Sequence, residues 1–232
     1  MPAQVTDGFS IYTMNAPEII TVYQSVAPPL NADFAHIAWQ KAEPLPIQLN
    51  WHGAAAPTEL HTTARVLWTN EHLWFGFECG YTELDVDEQF DLKQERYGLW
   101  ERDVCEAFVR SPLEPGERSY KEFEVAPTGQ WFDAAIHKPR VEVDWDWQSG
   151  MQTAGAIEAE QHVWRAVMAI PFAAFGITPQ GGDIWHGNLF RISRWHGERQ
   201  FLALSPTLTA TTDYHVPERF AALRFINADQ KN

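Results

Sequence analysis

Cysteine is nearly missing from this 232-residue chain; the two present are Cys79 and Cys105. No CxxC pair occurs, which excludes a zinc ribbon. Each cysteine sits in an apolar strand pattern and reads as a small buried hydrophobe. A disulfide between them stays open, because only the geometry of their strands decides it. Basic residues are also scarce. Lysine and arginine number 17 against 31 aspartates and glutamates, for a formal net charge of -14 and a pI of about 5.0. Such a surface repels phosphate backbones and anionic lipid, so neither nucleic acid nor a membrane is an expected partner; neutral and cationic ligands remain. No stretch approaches the roughly 18 to 20 apolar residues of a membrane-spanning helix. The opening Met1-Pro2-Ala3-Gln4-Val5-Thr6-Asp7 lacks a basic and then apolar leader, so a cytoplasmic location is the default expectation. The nine histidines form no HxH or HxxxH pair, which argues against a histidine zinc site. No GxGxxG, Walker or GxSxG element occurs in the context its chemistry needs. No run sustains a 3.6-residue period over three turns, so long helices are not expected.

What is there is tryptophan, 11 of them, and many short apolar runs punctuated by turn residues. Strands are expected at 19–23, 34–41, 62–68, 72–79, 104–109, 120–125, 131–137, 151–157, 163–170, 188–195, 199–204 and 221–226. Thr69-Asn70-Glu71 links two of these into a hairpin, and the polar loop 111–118 links two more. Pro171 to Gly176 has proline at its start and glycine at its stop, the signature of one helical turn. The expected architecture is all-β: an antiparallel β-sandwich with only short helical turns, as one domain over 1–232.

The most informative piece is Tyr97-Gly98-Leu99-Trp100-Glu101-Arg102-Asp103-Val104-Cys105-Glu106-Ala107-Phe108-Val109. In a strand, Cys105, Ala107 and Val109 share the core face, and Val104, Glu106 and Phe108 the opposite one. A mid-strand glutamate must be solvated, paired or bound, because an unpartnered buried carboxylate costs several kcal/mol, as an order of magnitude. With Trp100 nearby, that suits a ligand with hydroxyls and an apolar face, as a sugar has. Gly98 allows the bend that would fold Trp100 back over the sheet.

Glu106, Glu122 and Glu124 fall on one face of the second hairpin, where facing carboxylates need a cation, an arginine or a shared proton. The expected groove combines Glu106, Glu124 and Arg191 with an aromatic such as Trp131 or Trp195. The alternative is a solvated acidic face or a structural ion-pair network. Glu83, Asp85, Asp87 and Glu88 form an oxygen-rich loop, a candidate Ca²⁺ site without EF-hand spacing; otherwise it is a solvated charge run. Asp144-Trp145-Asp146-Trp147 offers an aromatic platform or a protein-partner patch. Paired glutamates also leave open a glycosidase, which needs two carboxyls about 5 to 9.5 Å apart.

The run Leu99 to Val109 resembles the W-E-x-D-x-x-E-x-F-V element of family-9 carbohydrate-binding modules. Further elements follow in that family's order: Tyr120-Lys121-Glu122-Phe123-Glu124-Val125 with Gly129, then Trp164 to Phe172, then Gly187-Asn188-Leu189-Phe190-Arg191-Ile192. Pro217-Glu218-Arg219-Phe220 comes last. The likeness spans about 37–226. It implies a jelly-roll sandwich related to the DOMON group, and a stand-alone, divergent member. It further implies non-catalytic binding of a saccharide or polyol in the service of carbohydrate catabolism, no required cofactor, and structural calcium as an option. Trp100 matches a stacking tryptophan, Glu106 a glutamate that accepts sugar hydroxyls, and Asn188 an asparagine strand beside the ligand. The chain departs from the pattern twice. Glu124 stands where the family places a binding arginine, and Phe201 to Pro206 stands where it places a second stacking tryptophan.

Overall fold

A computed structural model describes residues 17–87 and 89–228. Fourteen strands follow in chain order. They are β1 (Ile19–Tyr23), β2 (Leu45–Ile47), β3 (Leu49–Asn50), β4 (Thr62–Trp68), β5 (His72–Gly80), β6 (Val104–Arg110) and β7 (Tyr120–Val125). Then come β8 (Trp131–Lys138), β9 (Glu142–Asp144), β10 (Gln152–Glu158), β11 (Val163–Pro171), β12 (Ile184–Trp195), β13 (Glu198–Ala203) and β14 (Ala221–Ile226). One layer of the sandwich runs β10-β11-β5-β4. The other runs β12-β6-β7-β8-β9, with β14 and β13 sharing the far edge of β12. The 12 residues of β12 permit this: Ile184 to Gly187 pair with β14, and Phe190 to Trp195 pair with β13.

The sheet is mixed rather than purely antiparallel. β1 lies parallel to both β4 and β14, and so joins the two layers. Sequence alternation gives strands but not their direction, so this edge was not foreseeable. The hairpin of β4 and β5 has the expected turn, with Trp68 opposite Leu73 and the Thr69 N–H donating to the His72 carbonyl at 2.9 Å.

The stretch 34–41, expected as a strand, contains the α-helix α1 (Ile37–Lys41) instead. Its buried residues are Ala38 and Trp39, with Ala42 just beyond, a helical spacing and not an alternating one. The His36 ring accepts from the Ala38 N–H and caps it. Trp39 then covers Leu67, Trp74 and Val167 on the outside of the first layer.

Between the layers lies the main core. Phe75, Phe77, Trp164 and Met168 enter from one side, and Cys105, Ala107, Phe123 and Leu189 from the other. Cys79 and Cys105 are both free and buried, with their sulfurs 3.5 Å apart across this core. A second apolar cluster covers the outer face of the second layer. It gathers Val104, Phe108, Phe132, Phe190 and Ile192 under Tyr214 and Phe220. That outer face carries the acids.

Candidate functional site: an acid-floored aromatic cup

Register assembles the floor. β6 pairs with β7 so that Glu106 faces Glu124 and Phe108 faces Glu122. Facing residues of an antiparallel pair point the same way, so all three glutamates rise from one surface. Their carboxylate oxygens come within 4.8 Å of one another, and among the described residues these are the acids that converge in this way. Glu106, Glu122 and Glu124 are 2 %, 4 % and 0 % exposed. Glu106 Oε1, Glu122 Oε2 and both oxygens of Glu124 are sealed from solvent and take no donor from outside the trio, while Glu122 and Glu124 lie close enough to share a proton.

Burial pushes the Glu106 and Glu124 carboxyls well above the usual range, and their mutual repulsion with Glu122 adds to it. Burial likewise raises Glu122 to about 7. The floor therefore resists holding three charges, and keeps protons unless a cation arrives. His215 gives no such charge, because burial lowers it to about 4. Its Nδ1 shares a 2.5 Å hydrogen bond with the Tyr120 hydroxyl, whose pKa burial pushes well above the usual range.

Above the floor opens a cavity of about 310 Å³ lined by Trp100, Glu106, Glu122, Trp145, Arg199 and Tyr214, among others. Gly98 takes a left-handed conformation (φ +82°), and the short turn Leu99–Glu101 that follows hangs Trp100 over the sheet. Trp145 comes from the loop after β9 and is 43 % exposed. The two indoles stand 5.9 Å apart at 34°. Phe132 props both from below, and Tyr97 meets both edge-on. The rim carries two arginines, each engaged. Arg140 donates to Asp213 at 2.8 Å. Arg199 donates to Glu101 at 3.2 Å and to the Trp100 carbonyl, which fixes that turn. Tyr214 closes one side, its hydroxyl donating to the carbonyls of Arg191 and Leu202.

The structure brings Trp100 and Glu106 together in the cup, while Glu124, across the strand pair from Glu106, is fully buried behind it and does not line the cavity. It separates the others. Arg191 pairs with Cys105, not Glu106, and so points into the sandwich. There it donates to the Leu60 carbonyl and the Thr62 hydroxyl at 2.8 Å each, and stands over Trp164. Trp131 pairs with Val125 and takes that same inner face. Trp195, in step with Arg191 along β12, does so too and rests against His196. Asn188 shares the outer face with Phe108, but its amide is spent: it donates to the Ser205 carbonyl at 2.7 Å and accepts from the Ser205 N–H. None of these four lines the cup. The cup instead uses Glu122, Arg140, Trp145, Arg199, Asp213 and His215. Of these, Glu122 was legible as a same-face acid and Trp145 as a candidate aromatic platform; Arg140, Arg199, Asp213 and His215 gave no signal, because their position over the sheet depends on tertiary contacts.

The acidic loop is also resolved differently. Asp85 accepts from Arg102 at 2.5 Å and from Arg194 at 2.7 Å, which holds its carboxyl below the usual range against the opposing effect of burial. Asp87 pairs with Arg96 at 2.8 Å, and Glu83 accepts from the Gly197 N–H at 3.0 Å. Glu88 lies outside the described residues. These acids hold arginines and backbone rather than a shared point. Asp85→Ala leaves two arginines without their acceptor and is expected to cost about 1 to 3 kcal/mol in urea unfolding.

No protein-family model matches the chain. A candidate carbohydrate-binding protein from Bacteroides uniformis superposes with a TM-score of 0.71 at 19 % identity, covering 90 % of this chain and 98 % of that one. A family-9 carbohydrate-binding module from Caldicellulosiruptor kristjanssonii, solved with cellotriose, gives 0.66 at 12 % identity, covering 92 % and 96 %. The fold is that of the family-9 carbohydrate-binding modules. The same family's module solved with glucose gives 0.65 at 12 % identity, covering 93 % and 99 %. A fungal protein from Arthroderma benhamiae, described as an extracellular protein, is 25 % identical over 48 % of this chain. The chain matches 60 % of that relative's length. The family-9 fold thus accounts for nearly all of the chain, with the acid-floored cup on the outer face of one layer.

Proposed function

We propose that this protein is a non-catalytic saccharide-binding domain and that the cup is its binding site. The observation that carries the reading is the placement of Trp100 and Trp145 above Glu106 and Glu122 in one cavity of about 310 Å³. Indole faces take the C–H side of a sugar ring. Carboxyls take its hydroxyls, and a site of buried polar groups selects strongly for a ligand that satisfies them. Similarity in fold to modules solved with glucose and cellotriose supports the same reading. A glycosidase sets its two carboxyls to either side of the scissile bond. Here all three glutamates rise from one sheet face beneath the cup, which favours holding over cutting.

A glycan array spanning neutral, amino and acidic saccharides, run with and without Ca²⁺, tests the proposal. The intact chain is expected to retain at least one saccharide class, and Glu106→Gln to weaken that signal about tenfold, as for one buried hydrogen bond left mismatched. Turnover by the wild type that disappears in Glu106→Gln, with binding preserved, would replace binding by catalysis. No retention of any saccharide would leave a protein-interaction role for the exposed Tyr97 and Trp145.

A further inference from the structure

The floor of the cup is an arrangement that hydroxyls alone do not complete. Glu106, Glu122 and Glu124 present three oxygens to one point. Several of those oxygens are enclosed and take no donor from outside the trio. Among the described residues no lysine or arginine forms an ion pair with any of the three, and the nearby His215 nitrogen, 3.9 Å from Glu122, is already taken by Tyr120. The rim arginines are committed to Asp213 and Glu101, and Arg191 lies on the far side of the sheet.

We propose that the cup selects an amino sugar, with a primary ammonium entering between Glu106 and Glu122, which line the cavity, to reach Glu124 enclosed behind them, and the sugar ring against Trp100 and Trp145. This deepens the saccharide reading above and rests on it. An ammonium carries three N–H donors and no acceptor. With N–O distances of about 2.8 Å and tetrahedral directions, its three partner oxygens sit about 4.6 Å apart, which three separate carboxylates within 4.8 Å can supply. Each glutamate then accepts one bond; the single positive charge balances one carboxylate, and the other two accept through their carbonyl oxygens while they hold protons. A neutral sugar must instead bind while the acids hold protons. The chain's net charge of -14 also draws a cation in rather than away. The cavity of about 310 Å³ is large enough for a monosaccharide.

Calorimetry on the intact chain with D-glucosamine, D-glucose, N-acetyl-D-glucosamine and CaCl₂ alone tests this. Glucosamine is expected to bind at least tenfold tighter than glucose at pH 7, and N-acetylglucosamine, whose nitrogen is a neutral amide, to lose that advantage. Glucosamine affinity is expected to rise between pH 5 and pH 7 with net proton release. The groups in play are Glu106 on β6, Glu122, Glu124 and Tyr120 on β7, Asp213 and His215 from the covering loop, and Glu101, Arg140 and Arg199 at the rim. Glu124→Gln is expected to erase the preference while its melting curve reports folding; the wild-type ranking decides the matter even if that variant unfolds. Glucose binding as well as glucosamine would overturn the inference and leave the saccharide reading standing. Ca²⁺ competing at the glutamates, with no preference for glucosamine, would overturn it in favour of a metal. Binding of none of the three sugars would remove both readings.

Discussion

Trp100→Ala is expected to weaken saccharide binding by about 30- to 100-fold, equivalent to about 2 to 3 kcal/mol, the scale of an aromatic anchor at the centre of a binding site. The magnitude follows from what the ring does. Trp100 meets Trp145, Tyr97 and Phe132 at once, with centroids 5.9, 4.9 and 5.4 Å away. Its removal takes one wall from the cup and leaves Trp145, already 43 % exposed, without its neighbour. The ring cannot be replaced from the other side of the sheet, because Trp131 and Trp195 face the sandwich interior. Trp100→Phe keeps an aromatic face of smaller area and is expected to lose only a fraction of the affinity. A thermal melt separates the loss of binding from a loss of fold. If Trp100→Ala binds as the wild type does, the cup is not the site.

Strand parity made half of this site legible. Alternation alone put Glu106 opposite the core face of its strand, and the hairpin with a polar loop put Glu122 and Glu124 on the same side. The bend at Gly98 was visible as a glycine before an aromatic turn, and it does carry Trp100 over the sheet. What alternation could not give was which residue of β12 faces which residue of β6. Phe190 stands opposite Glu106, and Arg191 opposite Cys105. A slip of one residue reverses every side chain, so a plausible charge pair between Glu106 and Arg191 dissolved once register was known. The second aromatic wall shows a different limit. The family pattern places its second tryptophan at 201–206, where Phe201 lines the cup, whereas the second indole is Trp145, legible in the sequence as an aromatic platform but not as a wall of this site. Likewise the acids at Glu83, Asp85 and Asp87 looked like a cation site because sequence shows the carboxylates and not the arginines that fold against them.

The same buried floor predicts that the unliganded protein loses stability as the solution turns alkaline. A carboxyl whose folded pKa lies above its unfolded value stabilises the fold fully below the unfolded value, and that contribution is lost as pH rises through the folded one. Glu122, raised from 4.5 to about 7, should on its own surrender about 3 kcal/mol across that interval, as an order of magnitude. Glu106 and Glu124 act in the same direction over a wider range. Asp133, raised to about 6, adds to the fall at lower pH. His215 opposes them. Lowered to about 4, it favours the fold above 6.5 and loses that contribution as pH falls. One histidine against several acids leaves the balance downward, and above pH 6.5 the histidine has nothing further to add. Urea unfolding is therefore expected to show a higher midpoint near pH 5.5 than near pH 8, by several kcal/mol in free energy. Replacing Glu124 by glutamine keeps the shape, removes one of the repelling charges, and is expected to flatten the slope and raise stability at pH 8. A guest that brings a positive charge to the floor should do the same without mutation, since ligand that binds only the folded form raises its stability. A flat profile from pH 5.5 to 8 in the wild type would mean that the three carboxyls share their enclosure with a counter-charge, and the unpaired acidic floor would no longer describe the molecule.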